Sequence, residues 1–402
     1  MSAYRILRRL LALTLCLALL AGGVWWGLAA ALPDTLYTTG GALQIASMPW
    51  VTAQEKGENV AAADSARQDT SRNVTLALFG TIPIKTVRAV EVEARSVQVC
   101  GTPFGVKMFS DGVLVVAFSD QYTSLGTENP AKEAGLKLGD LIVSAGGRPV
   151  RSNDELNQAV TAAGGAPLSI VYRRGGTQYT TTLTPVRDVN TGAYRAGVWV
   201  RDSSAGIGTM TFLDPANGTF AGLGHAISDV DTGADITLLS GEIVPVTVTS
   251  CTKSAAGSPG ALRGEFSADA AGTVLANDTT GVYGRYTGAP AGQSCPVLQP
   301  QEIALGDAEI WTTVLGSEPK RYTVRIEQVN MTSSDPNRNL LIRVTDPELL
   351  EATGGIIQGM SGSPIVQNGR LVGAVTHVLV NDPARGYGIF ASTMLQKADG
   401  IA

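Results

Sequence analysis

Near the start of the chain, Arg5, Arg8 and Arg9 precede an uncharged apolar run, LLALTLCLALLAGGVWWGLAAAL, at residues 10–32. In a bilayer the backbone of such a run can satisfy its polar groups only internally, as a helix. Its 23 residues reach roughly 35 Å at a rise of about 1.5 Å each, enough to cross a hydrocarbon core of about 30 Å. The flanking arginines hold the start on the cytoplasmic side, so everything after residue 32 faces outward. A cleaved signal peptide, with the alanines at 29–31 as cleavage site, is the alternative. The run is long for that role, and Trp25 and Trp26 suit an interfacial belt. An uncleaved anchor is expected; on either reading the bulk of the chain lies outside the cytoplasm.

The chain has 402 residues, a length that suits two or three domains. Hydrophobic residues at 44% against 16% charged supply enough apolar material for real cores. The 47 glycines, with frequent Thr and Val, favour strands and turns over a helical bundle. A net charge of −5, with no basic cluster past the N-terminus, argues against nucleic acid as a partner. Of four cysteines, Cys16 lies in the apolar run. An exported setting permits a disulfide among the rest, and Cys251 with Cys295 is the pair to consider. No C-x-x-C, His/Cys cluster or H-E-x-x-H is present, so neither a metal nor another cofactor is expected.

Residues 33–73 are polar and weakly patterned and read as a flexible tether. Alternation appears over 74–95, a short β segment. From 96 to 187 a compact pattern follows: a glycine-containing loop, two strands, then PAKEAGLKLGDLIVSAGGRPV, which reads as short helix, turn, strand and hairpin. Ser152 or Asn153 then caps a helix over 154–163, with acidic residues in its first turn. The ordered match A-x-x-A-G-L-x-x-G-D-x-I resembles a PDZ domain. The resemblance implies a peptide-binding loop at Pro103, Phe104, Gly105 and Val106, and a groove between the strand after it and the 154–163 helix. Pro103 lacks an amide hydrogen, so an internal or intramolecular segment is as plausible a ligand as a free C-terminus; a PDZ fold that only packs on its neighbour is the plainer reading. From Thr191 onward, short strands and glycine turns suit a closed β-barrel or a pair of them.

The chemistry lies in residues 188–402. The segment IIQGMSGSPIVQNGRLVGAVTHV carries G-x-S-G-x-P around Ser361, whose glycines permit a loop with converging amides. Gly359 and Ser361 N–H would then form an oxyanion hole. Ser363 is the competing serine, and an ordinary turn is the plainer alternative. A serine hydroxyl needs a base to become a nucleophile at neutral pH. The chain has only two histidines, His225 and His377. A histidine well upstream of the serine is similar to the chymotrypsin-like plan, in which two barrels contribute one each.

Taken together, GVWVRDSSAGIGTMTFLDP, GHAISDVDTG and GMSGSPIVQNGRLVGAVTHVLVNDP resemble the stage IV sporulation protein B peptidases, serine proteases of spore-forming bacteria. The resemblance implies a mainly β chain: N-terminal transmembrane helix, PDZ domain, then a chymotrypsin-like double β-barrel peptidase domain. It implies His225 as general base, Ser361 as nucleophile and Asp346 as the acidic member. The residues alone leave Asp229, Asp231 and Asp307 as rivals for the acid, and His377 as cleft lining or alternative base. It further implies cleavage of the protein itself, within 32–73, and of an extracytoplasmic segment of a membrane regulatory protein, which relays a sporulation signal that activates an intramembrane protease. The setting implied is the space between forespore and mother cell, with release after self-cleavage. A catalytically inactive PDZ-bearing scaffold in the same membrane complex is the alternative. A Ser–Lys dyad with lysine four residues after the serine is disfavoured, because that position is Ile365.

Overall fold

The computed structural model describes every residue except 1, 41–42, 56–70, 230, 234–235, 237, 289–291 and 402. The apolar run forms one helix, Ser2–Ala31, whose stretch Leu7–Ala31 is long and apolar enough to cross a membrane.

The stretch expected to be a tether is in part folded. Strands Thr35–Thr38, Val51–Glu55, Ser71–Leu78 and Ile82–Glu91 form a four-stranded sheet in which the first pairs with the last in parallel. Only the first two lie wholly within the expected tether, and neither carries a strong apolar signal; the last two fall largely on the 74–95 segment whose alternation predicted strands. Paired, they bury Leu36, Val51, Val74, Leu76, Ile84 and Val87 with Leu32 at the helix exit. This small layer docks on the C-terminal half of the chain: Ala46 N donates to Gln301 O at 2.7 Å, and the Gln301 amide donates to Tyr37 O. The remainder of the expected tether, 56–70, lies outside the described residues.

The PDZ region has the expected helix, Asn153–Ala163. Ser152 caps it by accepting from Glu155 N, and Gly164 closes it at φ +56°. Leu156 and Val160 on that helix pack with Val113, Val115, Ile142, Leu168 and Ile170.

The boundary with the peptidase region differs from the expectation. Strand Pro103–Phe118 is continuous and serves two cores. Its second half pairs with Leu141–Ala145 in the PDZ region. Its first half is a stave of a barrel. Pairings run from Pro103–Phe118 to Leu238–Thr252, Gly272–Asp278, Gly281–Tyr286, Thr219–Gly222 and Val198–Asp214, and back to Pro103–Phe118. That ring closes around Phe104, Val106, Met108, Met210, Phe220 and Ile243. The strand bends where it passes from one core to the other, at Gly112, φ +141°, where a Cβ would stand 2.6 Å from Ile142 O.

A second closed barrel follows, in the order Gly306–Thr312, Lys320–Val329, Leu340–Val344, Arg385–Phe390, Arg370–Val378 and Pro364–Gln367. Its strands alternate Ile310, Tyr322, Val324, Ile326, Leu340 and Ile342 into a core. Helix Ala391–Asp399 and strand Ser96–Val99 fill the seam between the barrels. No disulfide forms: Cys251 Sγ contacts Ala352 O at 3.6 Å, and Cys295 is buried in the seam.

Candidate active site

The segment around Ser361 is a tight loop held from below by one strand. Thr209 N donates to Ser361 O at 2.9 Å, Thr209 Oγ1 to Gly359 O at 2.8 Å, and Thr211 Oγ1 to Gly362 O at 2.7 Å. Both glycines of the motif sit at positive φ, +98° at Gly359 and +93° at Gly362. The amides of Met360 and Gly362 are committed to Ile357 O and Val375 O. Those of Gly359 and Ser361 donate to no acceptor among the described residues. This alternation leaves two unspent donors on one turn, the pattern expected of an oxyanion hole.

Ser361 is partly exposed, and its Oγ donates to Thr376 O at 2.8 Å. Ser363, the competing serine, is fully buried, and its hydroxyl has no partner among the described residues. His225 arrives from the first barrel. Leu223, at φ +63°, seats on Gly362, where an added Cβ would meet Leu223 N at 2.4 Å. Gly224 lies against Thr376 and Ile389. The next residue, His225, stacks obliquely on His377, with ring centroids 4.7 Å apart and planes at 32°. The hydroxyl of Ser361 thus hangs on the carbonyl of the residue preceding His377, the ring on which His225 stacks.

His225 Nδ1 lies 2.7 Å from the carbonyl of Ala226. Nδ1 donating there makes Nε2 the nitrogen that carries the lone pair. Desolvation by the cavity walls, then the neighbouring His225, pushes the His377 imidazole down to about 4, with Asp335 pulling the other way. His377 is therefore neutral at pH 7 and adds no competing cation. A cavity of about 460 Å³ opens in front of the pair, lined by Ile207, Leu223, Ile227 and Asn337.

The carboxylates are placed differently from the expectation. Asp346 caps helix Pro347–Thr353, accepting from Glu348 N at 3.0 Å and Leu349 N at 3.1 Å, with Thr323 N at 3.2 Å on its other oxygen. It does not bond His225. Asp229 and Asp231 both pair with Arg201, and Asp229 also accepts from Thr232. Asp307 is exposed on the second barrel. None of the four holds the imidazole; a backbone carbonyl does.

Several positioning residues carried no signal in the sequence reading. Asn277 clamps the segment after His225 by accepting from Ile227 N at 2.8 Å and donating to Ile227 O and Ile236 O at 3.1 and 3.0 Å. Arg201 ties the same segment to strand Val198–Asp214 through Asp229. Thr209 and Thr211 were visible as two polar residues spaced by two in an apolar strand, the period that puts both on one face.

The PDZ loop expectation requires correction. Pro103, Phe104, Gly105 and Val106 are buried strand residues; all four pair with Val198–Asp214, and Phe104, Gly105 and Val106 pair on their other side with Leu238–Thr252. Phe104 packs edge-on against Phe220 at 5.9 Å. Gly105 is there for close approach: a Cβ would stand 2.2 Å from the Phe266 ring. The alternation of Phe104, Val106 and Met108 into the barrel core outweighs the loop reading. A groove of about 330 Å³ does flank helix Asn153–Ala163 at Leu156 and Val160, but Ala196, Val198 and Val200 form its other wall.

Two six-stranded barrels with a glycine-framed serine at their junction, preceded by a PDZ domain, define the class: the protein is a PDZ-containing serine peptidase. The family description "SpoIVB peptidase S55" matches residues 192–395, and "PDZ domain" matches 121–174. The chain belongs to the SpoIVB peptidase S55 family.

Curated relatives share shorter segments. A putative zinc metalloprotease of Bartonella henselae is 37% identical over 70 residues, 17% of this chain and 20% of that protein. Serine protease HTRA1 of Xenopus tropicalis is 41% identical over 58 residues, 14% and 12% of the two. The chain thus spans a fifth or less of the length of these relatives. Among solved structures, the PDZ domain of an SdrC-like protein from Listeria monocytogenes is 23% identical at a TM-score of 0.19, covering 22% of this chain and 87% of that one.

Proposed function

We propose that Ser361 is the nucleophile and His225 the general base of a membrane-tethered endopeptidase. The observation that carries this reading is the seating of Leu223 and Gly224 on Gly362 and Thr376, which brings the only two histidines beside the Ser361 loop. In the reaction, Ser361 Oγ turns from Thr376 O toward His225 Nε2, gives up its proton and attacks the scissile carbonyl. The Gly359 and Ser361 amides receive the oxyanion, and His225 then protonates the leaving amine; water repeats the sequence to release the acyl group. Asp346 is kept as the acidic member on the family resemblance alone, and reaching His225 requires it to leave its cap.

The biological setting is proposed on the same resemblance. Helix Ser2–Ala31 anchors the chain with its bulk extracytoplasmic, in the space between forespore and mother cell. The substrates are the chain itself, within 32–73, and an extracytoplasmic segment of a membrane regulatory protein, whose cleavage relays a sporulation signal and activates an intramembrane protease. Self-cleavage would release a soluble form. The PDZ groove takes a peptide, either from a partner in that membrane complex or from this chain.

The experiment is incubation of the full chain in lipid nanodiscs, wild type beside Ser361→Ala and His225→Ala, with N-terminal trimming followed by mass spectrometry. Trimming by the wild type and a loss of several orders of magnitude in both variants are expected. Equal trimming in all three would leave the scaffold reading in its place.

A further inference from the structure

The hairpin joining Ser71–Leu78 to Ile82–Glu91 has an apolar tip that stands beside the anchor helix. Trp25 Nε1 donates to Pro83 O at 3.1 Å. Trp25 lies six residues before the helix ends at Ala31, roughly 9 Å along the axis at about 1.5 Å per residue. The apolar stretch Leu7–Ala31 has 25 residues, about 37 Å of helix, some 7 Å more than a hydrocarbon core of about 30 Å. Centred on the bilayer, it leaves about 4 Å at each end among the headgroups. The level of Trp25, and with it the hairpin tip, then falls inside the outer edge of the hydrocarbon.

The tip is built for such surroundings. Phe79 is 72% exposed and Ile82 53%, with Trp50 and Trp25 also exposed nearby. Phe79 is held at φ +48°, a backbone region that bulky residues avoid. Part of the polar backbone of the turn is paired within the protein. Phe79 N donates to Trp50 O at 2.8 Å and Thr81 N to Leu78 O at 3.1 Å; the Gly80 carbonyl accepts the Gln54 amide, and that of Pro83 accepts Trp25. Internal pairing of these groups lowers the cost of entering a medium without water.

We propose that the 79–82 turn is a second membrane contact, in which Phe79 and Ile82 insert into the outer leaflet beside Trp25. The proposal rests on helix Ser2–Ala31 crossing the membrane in the intact chain. It extends the anchor from one helix to a helix and a hairpin, so the exported domains hang from two points rather than swivelling on one.

The test places the photocrosslinker p-benzoylphenylalanine, one position at a time, at Phe79, at Trp26 and at Leu125. Trp26 is on the anchor and 71% exposed; Leu125 is 91% exposed and belongs to the PDZ region. Each full-length variant is reconstituted in phosphatidylcholine–phosphatidylglycerol vesicles, irradiated and analysed for lipid adducts by mass spectrometry. All three positions are exposed, so folding is spared. Adduct yield at position 79 is expected to match that at 26 and to exceed that at 125 by about tenfold or more. Adducts at 26 with position 79 no better than 125 would overturn the hairpin contact and leave the anchor standing. Absence of adducts at both 26 and 79 would overturn both together.

Discussion

Gly362 is the residue on which the two halves of the site meet. A Cβ there would stand 2.0 Å from Thr209 O and 2.4 Å from Leu223 N, and its φ is +93°. Gly369, a few residues on, shares the positive φ at +75° but has open space around it. The pair separates backbone strain from close approach. Gly369→Ala is expected to cost about 1–2 kcal/mol, the strain of a left-handed L-residue. Gly362→Ala adds a backbone overlap and is expected to cost roughly 3 kcal/mol or more, with loss of activity because the Leu223–His225 turn is pushed off its seat. Urea unfolding of both variants beside the wild type measures the difference; equal costs would mean that the seat has slack. The sequence announced Ser361 through its flanking glycines. It could not announce Leu223 or Asn277, whose roles exist only once distant strands are adjacent.

Two elements decide how the site is held. Strand Val198–Asp214 begins as a wall of the PDZ groove, pins the segment after His225 through Arg201 and Asp229, and ends by holding the Ser361 loop through Thr209 and Thr211. A single rigid strand therefore touches groove, base and nucleophile. Helix Pro347–Thr353 poses the opposite question, because its cap is the carboxylate assigned to catalysis by resemblance. Asp346→Ala removes the cap bonds and is expected to lower stability by about 1 kcal/mol. Asp346→Asn keeps a capping oxygen and should leave stability within a few tenths of a kcal/mol. If Asp346 also orients His225, kcat falls in both variants while only the alanine variant loses stability. An asparagine variant with full kcat would confine Asp346 to its cap. Denaturant unfolding and peptidase kinetics on the same preparations supply both readouts.

For the whole molecule, the PDZ region and the first barrel share two strands, so neither is complete alone. The fragment 96–187, bounded as the sequence suggests, lacks Ala196, Val198 and Val200 and leaves the 103–110 half-strand without its barrel. It is expected to unfold without a cooperative transition, whereas the fragment 111–201, which retains the returning strand, should show a sigmoidal urea curve by circular dichroism. The reverse order would refute strand sharing.

What the sequence determined by itself was local and periodic. The anchor helix, the capped helix after Ser152, the glycine-framed serine and the run of short strands are each written in neighbouring residues, because helix burial, capping and tight turns act on local pattern. Only the tertiary structure decided that Phe104, Val106 and Met108 line a barrel instead of a peptide loop, that residues 35–55 pair into a sheet, and that the imidazole of His225 rests on a carbonyl beside His377. Those outcomes turn on which strand finds which edge. Alternating apolar residues specify a face to be buried but not the partner that buries it.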